Sequence, residues 1–390
     1  MIRILLFLVL SVSFKISAQD FFRAGELKEK KYLEIVDFEI VKGKIIVPVV
    51  IKGETYRFLL DTGAPNIISE RLYKKSGSEL LTQTPIKDAN NNIDTMKVVR
   101  LSELNLGNLT FENSTSLVSD LENHDLLKCY EIDGFIGSNL FKNTVVKISL
   151  KEKKLYITDN VKNLKPLTKG IKLQLVGGQA SPYIKANIKG ENNKKATEAV
   201  LIDTGMDGLY DISDRVFKIF DAENIFSNRR SALGSGSIGI FGKAEIETRH
   251  QITIAEFGID KSVFKDLSAT TTDDNNSRIG LNLLKYGDIT IDFKKQKFYF
   301  ENTSEIQLKA PEKISYILED SKLIIDFVWD ETLKDKIQHG NQVIRIDNLD
   351  IKNMEICELL TIKEYTRNKI SYELEVLNNE NEIVIITLSN

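Results

Sequence analysis

The chain has 390 residues, enough for two or three domains. Hydrophobic residues make up 42% and charged residues 28%, the balance of an ordinary globular protein, neither disordered nor membrane-embedded. A net charge of -3 argues against nucleic acid as a partner, and the 3 histidines, His124, His250 and His339, lack zinc-ligand or triad spacing, so no metal or other cofactor is expected.

Residues 1–18 read as a signal peptide: Arg3, an apolar run from Ile4 to Phe14, and small residues before a cut after Ala18. The alternatives are a buried strand or a membrane anchor, but about 11 apolar residues fall short of the roughly 20 that span a bilayer. No stable membrane span is expected elsewhere. Export, to a periplasm or beyond the cell, is the expectation. Cys129 and Cys357, the only 2 cysteines, lie 228 positions apart in different predicted domains and are expected to be free buried thiols.

The chain then repeats itself. Residues 45–53 are strand-like and lead into Leu59-Leu60-Asp61-Thr62-Gly63; residues 183–190 do the same for Leu201-Ile202-Asp203-Thr204-Gly205. Downstream, Ile136-Gly137-Ser138-Asn139-Leu140 recurs as Ile279-Gly280-Leu281-Asn282-Leu283. Asp61 to Gly137 spans 76 positions and Asp203 to Gly280 spans 77. Each copy continues into a hairpin with a Lys-rich turn, at 146–157 and 289–300, the second starting with the period-2 alternation Ile289-Thr290-Ile291-Asp292-Phe293. Between Asp and Gly each copy holds a candidate flap. Asn90 and Asn91 form a turn-like tip in the first, and Gly236, Ile238, Ile240 and Phe241 lie in a Gly-Ser stretch in the second. A plain surface loop is the other reading of that stretch.

Two carboxylates about 3 Å apart share one proton, because both cannot ionise so close together. Such a pair can activate a water and protonate a carbonyl oxygen without a metal. Asp61 and Asp203 each end an apolar strand, a rigid place for a carboxylate. Gly63 and Gly205 permit the tight turn, and Thr62 and Thr204 can bond across a two-fold axis. Symmetric turns argue against a glycosidase, whose acids stand about 5 Å or more apart in distinct settings.

These motifs resemble the pepsin/retropepsin superfamily, most closely bacterial retropepsin-like aspartyl proteases, over residues 40–303. The resemblance implies a catalytic dyad of Asp61 and Asp203, with Gly137 and Gly280 letting a strand pass beneath each catalytic turn. It also implies flaps that close on an extended peptide or unfolded protein. Met206 stands where Ala, Ser or Thr is usual, Asp207 adds a carboxylate, and Arg278 takes a place normally apolar. With no hydroxyl at Ala64 or Met206 to stabilise the charge, the dyad is expected to work at weakly acidic pH.

After about Glu305 the repeat stops. His339-Gly340-Asn341-Gln342-Val343-Ile344-Arg345-Ile346-Asp347-Asn348 resembles a run in bacterial PDZ domains. That resemblance implies a possible peptide ligand added at a sheet edge, with residues 323–328 as the peptide-facing strand. A purely structural β domain is the other reading. The expectation is an all-β monomer: a signal peptide (1–18), two pseudo-symmetric retropepsin-like lobes (19–165 and 166–305), and a small PDZ-like domain (306–390).

Overall fold

A computed structural model describes residues 22, 24–226, 228–302, 305–308 and 310–389. The expected signal peptide lies outside the described residues. The chain is all-β, with short helices at the lobe edges.

The repeat is visible as a structural repeat. In the first lobe the strand Glu54–Asp61 delivers Asp61, and Gly134–Gly137 runs parallel beside it with Gly137 opposite Asp61. In the second, Lys195–Ile202 leads to Asp203, and Arg278–Ile279 lies parallel with Ile279 opposite Ile202. Each lobe then carries one capped helix. Ser69 accepts a hydrogen bond from Leu72 N–H to start Glu70–Ser76, and Ser213 accepts one from Val216 N–H to start Asp214–Ala222. The repeated Ile-Ser-acidic-Arg runs, 68–71 and 212–215, mark these starts in the sequence.

The two Lys-turn hairpins are where the lobes join. Val145–Ser149 pairs antiparallel with Ile289–Asp292, Val146 opposite Ile291 and Ile148 opposite Ile289. Their outer partners are Lys154–Thr158 and Lys297–Phe300. Val146, Ile148, Ile289, Ile291 and Phe298 belong to one apolar core that runs through both lobes. Lys147 crosses this joint to Asp288 at 3.0 Å and Glu301 at 2.7 Å.

The C-terminal residues form a separate sheet with its own core, in the order Ile314–Glu319, Lys322–Val328, Gln342–Ile346, Ser371–Leu377, Ile383–Ser389. A short helix, Ile362–Arg367, precedes the strand Ser371–Leu377. The stretch 323–328, expected to face a peptide, is interior: it pairs with strands on both sides, and Ile314–Glu319 is the edge beside it, with Ile383–Ser389 at the other. The two strands have similar apolar content, so composition did not separate edge from interior.

The cysteines correct a second expectation. Cys129 and Cys357 are disulfide-bonded, with Cα atoms 5.1 Å apart. The C-terminal sheet folds back on the first lobe, so a separation of 228 residues in sequence says nothing of their distance in space. The bond ties the turn Leu127–Tyr130 to the helix Ile356–Leu359.

Candidate active site

The two Asp-Thr-Gly turns meet at the lobe junction. Thr62 Oγ1 donates to the carbonyl of Ile202 at 2.7 Å and accepts from Thr204 N–H at 3.1 Å. Thr204 Oγ1 donates to the carbonyl of Leu60 at 2.9 Å and accepts from Thr62 N–H at 3.0 Å. A hydroxyl can donate and accept at once, so two side chains make four bonds across the pseudo-axis. Both threonines are 2% exposed.

This lock brings the two carboxyl groups close enough for each to feel the other's charge. Asp61 accepts N–H bonds from Gly63 at 2.9 Å and Ala64 at 3.1 Å, and Asp203 accepts one from Gly205 at 2.9 Å. Burial, then the Asp203 charge, pushes the Asp61 pKa up to about 7, against the pull of Gly63 N–H and Lys44. Each glycine lies against the opposite carboxyl group: a Cβ on Gly63 would stand 2.6 Å from Asp203 Cγ, and one on Gly205 2.5 Å from Asp61 Cγ.

Gly137 and Gly280 lie against the backbone of the two turns. A Cβ on Gly137 would run into the backbone of Ala64 and Pro65, and one on Gly280 into the carbonyls of Gly208 and Met206. The strand therefore passes in backbone contact beneath each turn.

The two turns are braced differently. Around the first, Asn66 Oδ1 accepts from Gly137 N–H at 2.8 Å, Asn139 Oδ1 from Asn66 N–H at 2.8 Å, and Ser138 Oγ donates to the Thr62 carbonyl at 2.6 Å. Sequence reasoning missed Asn66 and Ser138; the Asn of the Ile-Gly-x-Asn motif was the available signal. Around the second, cations take over. Buried Lys44 donates to the Gly205 carbonyl and pairs with Asp207. Burial alone would lower its pKa, but the Asp207 charge and the other acidic neighbours outweigh this and raise it from the ordinary lysine value. Arg278 Nη1 lies 3.6 Å from Asp203 Oδ2 and 3.7 Å from Asp274 Oδ2. The unusual Asp207 and Arg278 are thus both neutralised in place.

Residues 47–140 match the aspartyl protease family model. The match covers the first turn and its Ile-Gly segment and stops short of the second copy. No curated protein matches the chain. Among solved structures, aspartic proteinase from Irpex lacteus is 14% identical with a TM-score of 0.43, over 70% of this chain and 99% of its own. Basic 7S globulin from soybean is 10% identical (TM-score 0.41), and conglutin gamma from lupine seeds 11% (0.45); each matches over 70% of this chain and 96% of its own.

The flap candidates come together over the same face. Glu79–Lys87 and Ile93–Leu106 form the first hairpin; Arg229–Gly234 and Glu247–Ile259 form the second, whose tip holds a miniature hairpin of 238–239 and 242–243. Asn90 Nδ2 donates to the Gly242 carbonyl at 3.0 Å, and Ser237 Oγ to Asn90 Oδ1 at 2.6 Å. Asn91 Nδ2 reaches the carbonyl of Asp273 at 2.8 Å, and Asp88 accepts from Phe241 N–H at 3.1 Å.

The apolar tip residues are half-buried and pack within the protein. Ile238 packs on the C-terminal core, and Ile240 and Phe241 pack on a first-lobe cluster that includes Phe135 and Tyr130. The C-terminal sheet grips this tip further: Asp326 accepts N–H bonds from Ser235 at 2.8 Å and Gly236 at 3.1 Å, and Phe327 packs with Trp329 and Ala232. The Gly-Ser stretch is therefore an ordered contact, not a loose loop.

His124 bonds the carbonyl of Gly239, His250 stacks on Phe217 and His339 sits beside Asp326. Among the described residues, no group of three or more His, Cys, Asp or Glu is arranged to hold a metal ion.

Proposed function

We propose that the chain is an exported aspartic endopeptidase acting on extended peptides or unfolded proteins. The observation that carries this reading is the pair of carboxyl groups held close together by reciprocal threonine bonds. In the reaction, one ionised carboxylate takes a proton from a water whose oxygen attacks the peptide carbonyl carbon. The protonated partner gives its proton to the carbonyl oxygen. In the second step the C–N bond breaks. The first carboxyl group passes its proton to the leaving nitrogen, and the second takes one back from the diol. The match of residues 47–140 to aspartyl proteases supports a protease.

Export rests on the pattern of residues 1–18, and the Cys129–Cys357 bond supports it, since disulfides persist outside reducing compartments. The C-terminal domain is proposed to be PDZ-like and to accept a peptide at its edge strand, Ile314–Glu319. That edge also favours a second reading, a non-catalytic peptide binder with the lobes as scaffold.

Asp61→Asn separates the two. It should lower cleavage of casein or a peptide library by about a thousandfold or more while the fold is retained. Wild-type protein that cleaves nothing between about pH 3 and 8 would leave the binding reading. For the active protein, cleavage should decline as pH rises through about 7, where Asp61 loses the shared proton. The stability sign agrees. A carboxyl group whose folded pKa is raised contributes stability fully below its unfolded value, and that contribution is lost as pH rises through about 7. A pH–rate profile peaking below about pH 3 would contradict this assignment.

A further inference from the structure

An isolated pair of symmetric aspartates gives no reason for the shared proton to rest on one rather than the other; their surroundings decide. Here the two sides differ at one repeat position. The residue before Ile-Gly is Phe135 in the first lobe and Arg278 in the second, opposite Leu59 and Leu201 in equivalent registers. One aspartate therefore faces an aromatic ring's strand and the other a buried guanidinium.

We propose that Arg278 is a positioning residue that fixes the roles within the dyad, holding the negative charge on Asp203 and leaving the shared proton on Asp61. The inference rests on the peptidase reading. It makes Asp203 the base that takes the proton from water, and Asp61 the acid that protonates the carbonyl oxygen.

Geometry supports this in three ways. Arg278 Nη1 is 3.6 Å from Asp203 Oδ2, close enough for a strong ion pair but with no direct hydrogen bond, so the lone pair needed for the water's proton stays open. Both side chains are 10% exposed, and solvent screens the pair little. Arg278 Nε is buried with no hydrogen-bond partner, and of the carboxylates around the guanidinium Asp203 is the nearest, at 3.6 Å against 3.7 Å for Asp274.

The other charged groups around the dyad do not reverse this. Asp274 and Asp211 also feel the charge of Arg278, and burial raises both from the ordinary carboxyl value despite its pull. Lys363, from the C-terminal domain, also faces Asp211. Tyr183 stands near Asp203 and Asp274 with its pKa pushed up to about 12, mainly by burial, and stays neutral. On the Asp61 side the nearby cation is Lys44, whose ammonium is already engaged by Asp207 and the Gly205 carbonyl.

The test compares pH–rate profiles of wild type, Arg278→Gln, Arg278→Leu and Arg278→Lys. With the charge removed, the acidic limb of kcat/KM should move up by about one pH unit or more, with kcat falling more than KM changes. Arg278→Lys should restore most of the wild-type limb. A neutral variant that keeps the limb in place, while losing activity equally at all pH values, would make Arg278 merely structural and overturn the proposal.

Carbon-13 NMR titration of aspartate-labelled protein, wild type against Arg278→Gln, reads the lower ionisation of the dyad without any substrate. An upward move there supports the charge role even if no peptide is cleaved, and an unchanged titration overturns it. Inactivity of the wild type would count against the peptidase reading alone.

Discussion

Gly63→Ala should lower peptide cleavage by about a hundredfold or more while leaving the folded state largely intact. The added methyl carbon would lie 2.6 Å from Asp203 Cγ, far inside van der Waals contact. Something must move, and the neighbour is the buried carboxyl group of Asp203, not the loose end of a flexible chain. The Thr62–Thr204 bonds hold the turns at fixed spacing, so the least constrained response is rotation or displacement of Asp203. A misplacement of about 1 Å at a reacting group typically costs about a hundredfold in rate. Gly205→Ala should act the same way on Asp61. Steady-state cleavage with thermal melting of the same samples checks both. Activity within threefold of wild type would mean that the carboxyl groups do not stand where the turns place them.

The second large effect concerns the disulfide. Replacing both Cys129 and Cys357 by Ser should lower stability by about 2–4 kcal/mol, read as a lower urea midpoint. The bond closes a loop across 228 positions of sequence, so the unfolded chain loses much freedom through it. In the folded state it anchors the C-terminal sheet beside Tyr130, close to Lys44 and Asp207. Earlier unfolding of residues 314–389 than of the lobes, seen by hydrogen exchange, is the expected pattern in the double variant. Indistinguishable midpoints for wild type and variant would show that the sheet is held by its packing alone.

The site was legible in the sequence because its chemistry is local and occurs twice. Asp61-Thr62-Gly63 and its copy name their own turn, and the matched spacing to Gly137 and Gly280 announces the strand beneath. The hairpins 146–157 and 289–300 were read as elements, but nothing in their alternation said that they pair with each other. Long-range facts stayed hidden for the same reason. Arg278 read as an oddity because its partner Asp203 lies 75 positions earlier, and the Asp326 contact with Ser235 depends on how a separate sheet docks. Cys129 and Cys357 were misread because distance along the chain was taken for distance in space.

The flap contacts have an energetic consequence. The two tips meet partly through amides, hydroxyls and carbonyls, Asn90 with Ser237 and Gly242 and Asp88 with Phe241 N–H, and partly through Ile240 and Phe241 packed on the cluster that holds Met96 and Val98. Water can replace such bonds one for one, at a net cost of about 0.5–1.5 kcal/mol each. The second tip meets the C-terminal sheet partly through Phe327, Trp329 and Ala232, and lifting it would wet stacked ring faces. Breaking the polar contacts therefore costs less than wetting these rings. The C-terminal sheet thus acts as a brace for the second hairpin, a support that the two lobes do not supply by themselves.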